Sequence, residues 1–271
     1  MAPMTLRDIL DVPIRDLAAL SLRPVRVAVL DTGIDASHEL LRGRVSRARS
    51  WCRGRGGTLL SSPLRRGADN DLSGHGTAVA AIVAGLAPNA RIEDVRVLDA
   101  DSAGYGAVVL RGLEEAIEGD ADVINLSVAI AKDRWWPETS RLLERAYVRN
   151  KVVVAARRNL PRPGDLGLPA ELPTAISVDS AAFPSPWLLR FLRNSPVEFA
   201  ARGRDVATAR AGGGTIRLTG TSFAAPAVSA LCALLRGANP RLTIFEIKSI
   251  LKWHAERFRR GSVPSAHHRR S

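Results

Sequence analysis

Apolar residues fall into two alternating patterns along this chain, short runs of aliphatic and β-branched residues and longer stretches at helical spacing. Val25 to Leu30 is a compact run of the first kind and predicts a buried parallel strand. Ile92 to Leu98, Asp122 to Val128 and Val152 to Ala156 predict further strands, with helices over Val108 to Glu118 and Thr139 to Tyr147 between them. This alternation predicts an α/β fold, a doubly wound, mostly parallel sheet with helices on both faces. Phe223 to Leu235 reads as a buried helix entered at Ser222, with Pro226 in the first turn, where no helix hydrogen bond is lost. Thr243-Ile244-Phe245-Glu246 has the capping-box pattern and opens a helix that buries Ile247, Ile250 and Leu251, with Trp253 as a further candidate.

The flanks are different. Residues 4–22 place Leu6, Ile9, Leu10, Ile14, Leu17 and Leu20 at roughly helical spacing, interrupted by Pro13, which predicts a short amphipathic extension. Residues 46–72 are rich in Arg, Gly and Ser and predict a long surface loop without a core of its own. Beyond Gly261 the chain is short, polar and basic, a composition expected to be disordered. The expected organisation is an extension over 1–22, one large domain over 23–260 and a tail over 261–271.

Composition narrows the function classes. With 271 residues and 46% hydrophobic residues the chain can bury a sizeable core. No uninterrupted apolar run approaches the ~18 residues that span a bilayer, and the N-terminus lacks a signal-peptide core, so no membrane partner is expected and the cytoplasm is the expected compartment. Cys52 and Cys232 are the only cysteines, which suggests neither a disulfide framework nor a metal cluster. The net charge of +12 comes from 39 basic residues, of which only Lys132, Lys151, Lys248 and Lys252 are lysines. These charges are spread along the chain instead of gathered on one helix, which argues for a solvated surface and against nucleic acid as a partner.

Candidate chemistry sits at element ends. Asp31 closes the first strand in Asp31-Thr32-Gly33-Ile34-Asp35, and strand carboxyl ends are where ligand sites form in open α/β sheets. Taken alone it is equally a turn former. His75 lies between Gly74 and Gly76 at a predicted helix entrance, where flanking glycines let other backbone come close; a histidine taken alone is more often a capping or core residue than a base. Ser222, in Gly220-Thr221-Ser222-Phe223-Ala224-Ala225-Pro226, sits at a helix N-terminus that favours negative charge on whatever the serine attacks, or simply caps the helix. Together, in this order, they supply the carboxylate, imidazole and hydroxyl of a nucleophile triad.

On these residues the chain, from about Val25 to Phe258, resembles the subtilisin-like serine proteases, whose triad follows the same order. The resemblance implies a serine endopeptidase with Ser222 as nucleophile, His75 as base and Asp31 as its orienting carboxylate. It also implies Asn159, after the Val152 strand, as oxyanion donor. Ser102, Ala103 and Gly104 would border the cleft, and Ser127, Val128, Ala129 and Ile130 would form a wall of the pocket for the side chain before the cleaved bond. The expected partner is a peptide or protein lying in the cleft as an added strand. Limited cleavage of a particular protein is expected, without a cofactor.

The chain also departs from the family pattern. Similar proteases have glycines where this chain has Ala129, Ile130 and Arg158, so the pocket should be narrowed or closed. A narrowed pocket takes a small residue, or an acidic one drawn by Arg158; a closed one makes the chain an inactive relative that binds a peptide or protein partner. The calcium loop that secreted relatives carry after the histidine helix is missing, so no metal is expected there. With only about 24 residues before the first core strand, the extension either packs on the body or covers the cleft. Oligomeric state has no signature in the sequence.

Overall fold

β1 (Val25–Asp31) forms because its alternate side chains are all wanted inside: Val27 and Val29 pack toward one layer of helices, Ala28 and Leu30 toward the other. The computed structural model describes residues 3–64, 70–102, 104–130, 132–160 and 167–259. The further strands are β2 (Val45–Arg53), β3 (Leu59–Pro63), β4 (Ala90–Arg96), β5 (Val123–Leu126), β6 (Val152–Ala156), β7 (Ile176–Ala181), β8 (Leu189–Phe191), β9 (Phe199–Arg202), β10 (Val206–Ala209) and β11 (Thr215–Leu218). The helices are α1 (Leu6–Asp11), α2 (Ile14–Leu17), α3 (His75–Leu86), α4 (Gly106–Glu118), α5 (Lys132–Val148), α6 (Ala225–Ala238) and α7 (Ile244–Arg259).

Nine strands make one sheet in the order β3-β2-β4-β1-β5-β6-β7-β9-β8, and β10 and β11 pair as a separate hairpin. The seven inner strands run parallel, while β3 and β8 are antiparallel to their neighbours and finish the two edges. One core cluster joins α3 and α6 to the sheet, and the other joins α4 and α5 to its opposite face. The expected doubly wound sheet is present, with β5 between β1 and β6 at its centre.

The expected surface loop over 46–72 is instead largely two strands, with residues 65–69 outside the described set. Only one side of β2 is covered, so Ser46, Arg47, Arg49 and Arg53 are exposed while Ser50 is buried, and the apolar alternation that marks a strand is lost. Residues 4–22 pack on the body, with Ile9, Ile14 and Leu17 fully buried. They do so at the far end of α6 from Ser222: the Met4 N–H donates to the Ala238 carbonyl and Asn239 Nδ2 donates to the Met4 carbonyl. A fourteen-residue helix is about 21 Å long, so the extension does not cover the cleft.

Trp253 is half exposed instead of buried, while Ile247, Ile250 and Leu251 are buried as expected. The Thr243–Glu246 capping box is formed in both directions. The 18-residue window Thr221–Ala238 has a mean hydropathy of 1.3, enough by length and composition to cross a membrane, although the sequence shows no uninterrupted apolar run. It is 94% buried inside the fold, as the core helix of a packed sheet should be. The expected tail over 261–271 lies outside the described residues.

Candidate active site

The four candidate groups gather at one cleft, His75, Ser222 and Asn159 in its lining and Asp31 buried behind His75, because separate elements begin or end there. Asp31 is the last residue of β1, His75 the first of α3, and Ser222 lies in a 3-10 turn, Thr221–Phe223, that leads into α6. The fourth, Asn159, follows β6 by three residues. The cleft they share measures about 1160 Å³ and includes His75, Ser222, Asn159 and Ser127 in its lining.

Two glycines explain how Asp31 and His75 meet. A side chain on Gly76 would begin 2.1 Å from the Gly33 carbonyl oxygen and 3.1 Å from the Asp31 β-carbon, so only glycine lets the start of α3 press against the end of β1. Gly33 itself has φ +104 and a side chain there would collide with the Asn70 carbonyl. His75 Nδ1 then lies 2.7 Å from Asp31 Oδ1, which also accepts the Thr32 N–H at 2.8 Å. Asp31 is 1% exposed and its Oδ2 has no hydrogen-bond partner among the described residues. Because a buried carboxylate can only accept, this bond puts the Nδ1 proton on the histidine and leaves Nε2 for the cleft. Burial pushes the imidazole pKa down, but the Asp31 charge and hydrogen bond, helped by the Asp71 charge, push it up further, and the net shift is upward.

Asp71 holds this pair in register, and the sequence reading missed it. Its Oδ1 accepts from Thr32 Oγ1 at 2.7 Å and from the Gly74 N–H at 2.8 Å, and its Oδ2 accepts the Thr77 N–H at 2.7 Å. One carboxylate thereby ties the residue after Asp31 to the turn on either side of His75. The signal was an acidic residue just ahead of a helix start, where free N–H groups gather.

Ser222 is fixed from both sides. Asn159 Oδ1 accepts from the Thr221 N–H at 2.9 Å and from Thr221 Oγ1 at 3.0 Å, which turns the Asn159 Nδ2 group away from Thr221 and leaves it without an acceptor among the described residues. On the other side Ser127 Oγ donates to the Ser222 carbonyl at 2.9 Å, and Ser222 Oγ donates to the Ser127 carbonyl at 3.1 Å. The Ser222 hydroxyl is therefore not hydrogen-bonded to His75 here. The His75 ring lies instead beside Phe223, with centroids 5.2 Å apart.

The remaining wall positions divide. Ser102, Gly104, Ser127, Val128, Ala129, Ile130 and Arg158 all line the cleft, and Ala103 lies outside the described residues. Ile130 is 5% exposed and joins the core while still lining the cleft, its N–H donating to the Leu168 carbonyl at 2.8 Å. Ala129 and Arg158, both in the cleft lining, come together over Gly167. A side chain on Gly167 would begin 2.6 Å from the Ala129 β-carbon and 3.4 Å from the Arg158 β-carbon, so these two carbons crowd one point. Trp135, which the sequence reading did not single out, closes the other end of the cleft beside Leu98, Val109 and Val128, its ring lying directly on Gly106.

Comparison with known proteins follows the same lines. Residues 23–268 match the family model described as the subtilase family. The chain is 30% identical over 240 residues to Subtilisin E of Bacillus subtilis, covering 84% of this chain and 59% of that one. It is 30% identical over 227 residues to an intracellular serine protease of Paenibacillus polymyxa, covering 79% of this chain and 67% of the relative. Among solved structures Sphericase superposes with a TM-score of 0.70 at 24% identity, covering 89% of this chain and 88% of Sphericase, a likeness of fold.

Proposed function

The chain belongs to the subtilase family, and from that membership we propose that it is a serine endopeptidase in which Asp31, His75 and Ser222 form the triad. The observation that carries the reading is the buried Asp31–His75 pair opening onto the same cleft as Ser222 and the Asn159 amide. His75 Nε2 takes the Ser222 proton as the oxygen attacks a peptide carbonyl, and returns it to the leaving amine; water then hydrolyses the acyl-enzyme by the same route. Asp31 keeps the proton on Nδ1 and stabilises the imidazolium. Asn159 Nδ2 and the Ser222 N–H, which has no acceptor within its own turn, donate to the oxyanion. The Ser222 hydroxyl reaches His75 by turning about its Cα–Cβ bond from the Ser127 carbonyl, a change between staggered rotamers.

The crowding of Ala129 and Arg158 over Gly167 supports a small residue, glycine or alanine, before the cleaved bond, and limited processing of a particular protein. A cytoplasmic location fits the intracellular protease among its relatives. The test is labelling of the purified protein with a fluorophosphonate probe, which an activated serine attacks. Labelling that Ser222→Ala and His75→Ala both abolish supports the triad. No labelling overturns it and favours the second reading, a catalytically silent relative that binds a peptide or protein, for which the Ser222–Ser127 bond in place of Ser222–His75 is the supporting observation.

A further inference from the structure

Asn125 is a fully buried polar residue in the middle of an otherwise apolar strand, β5, with Val29 and Val154 beside it on the neighbouring strands. A polar side chain there costs stability unless every group is paired, and this one is. Ser229 Oγ, fully buried on α6, donates to Asn125 Oδ1 at 2.8 Å, and Asn125 Nδ2 donates to Ser127 Oγ at 3.0 Å. Ser127 Oγ in turn donates to the Ser222 carbonyl at 2.9 Å.

The direction of this chain is forced from its far end. The Ser222 carbonyl can only accept, so the single proton of the Ser127 hydroxyl is committed to it and Ser127 must accept from Asn125. Asn125 therefore presents its NH2 to Ser127 and its oxygen to Ser229. The amide at position 125 both donates forward and accepts behind, and reversing its donor breaks the link to Ser222. We infer that Asn125, oriented by Ser229 and acting through Ser127, is a positioning residue for the Ser222 nucleophile. The inference rests on the proposed role of Ser222. Thr221 is pinned to the end of β6 by Asn159 and Arg157, and the relay supplies the matching restraint from β5. Between them they set where the Ser222 oxygen and N–H stand relative to His75 and the Asn159 amide, and a misplacement of about 1 Å costs on the order of 10²-fold in rate.

The experiment compares wild type with Asn125→Asp, Ser229→Ala, Ser127→Ala and Ser127→Thr, measuring fluorophosphonate labelling rate, kcat and KM on a peptide, and thermal midpoint. Asn125→Asp keeps the shape but turns the forward donor into an acceptor, drawing the Ser127 proton away from Ser222. It is expected to cut labelling rate and kcat at least tenfold with KM within about twofold. Ser127→Ala should do the same, Ser127→Thr should restore the rate, and Ser229→Ala should show a smaller loss. A merely structural relay would lower the midpoint and leave the rate per folded molecule unchanged. If Asn125→Asp does not fold, Ser127→Ala and Ser229→Ala decide. Folded variants that label at the wild-type rate overturn the relay alone, whereas a wild type that never labels overturns the nucleophile and the relay with it.

Discussion

The β-carbon of Ala129, a residue that lines the cleft with Ser222, stands 2.6 Å from where a side chain on Gly167 would begin. Peptides with glycine or alanine before the cleaved bond are therefore expected to have the highest kcat/KM, with aromatic residues rejected. Ala129→Gly should raise kcat/KM for larger aliphatic residues by about 10-fold or more, the worth of a methylene-sized change in an apolar pocket. A peptide library cleaved after aromatic residues by the wild type would contradict this, and cleavage after Asp or Glu would assign the rim to Arg158.

The pH profile follows from His75. It must be neutral to accept the Ser222 proton, so labelling slows as pH falls through its pKa, and the upward shift puts that acid limb above the ordinary value of 6.5. Asp31→Asn should move the limb down and reduce the rate at every pH. Stability has the opposite sense. A raised histidine pKa contributes stability that is complete below pH 6.5 and is lost as pH rises through the folded-state value. The midpoint difference between wild type and His75→Ala should thus shift in favour of wild type between pH 9 and pH 6. A limb at or below 6.5 would show that burial outweighs the Asp31 charge.

Asn159 has two separable jobs. Its Oδ1 holds Thr221 and its Nδ2 faces the cleft, so Asn159→Asp retains the acceptor and loses the donor. The expected result is a thermal midpoint near that of wild type and a fall in kcat on the order of 10²-fold, a figure borrowed from the equivalent donor in subtilisin. An unchanged kcat would remove Asn159 from the oxyanion site.

Deleting residues 1–22 is expected to destabilise without activating. Ile9, Ile14 and Leu17 are each at most 2% exposed, and losing a buried aliphatic side chain costs about 1.5–3 kcal/mol. Scanning calorimetry should show a lowered midpoint, and the labelling rate per folded molecule should not rise. A rise would mean that the extension leaves its place on α6 and reaches the cleft.

β1, β4, β5 and β6 and the helices between them were legible because a strand covered on both faces is apolar throughout, as Val152–Ala156 is, whereas β7 and β9 were not predicted. β2 and the edge strand β3 were not, since strands covered on one side tolerate exposed arginine and serine. Asp31, His75 and Ser222 could be read because each lies at an element end marked by glycine or proline. Asp71 and Asn125 act only through hydrogen bonds to residues brought near by folding. The turn of the Ser222 hydroxyl toward Ser127 is a rotamer, which one-dimensional pattern does not encode.

The helix that follows Ser222 has a consequence for the chain while it is being made. Its 18-residue apolar window would be a hazard if exposed at a ribosome or near a bilayer. But the strands it packs against, β1, β4, β5, β6, β7 and β9, all precede it in the chain. By the time this segment is synthesised, the surface that buries it has already been translated, and the order of synthesis limits how long the most membrane-like part of the molecule stays uncovered.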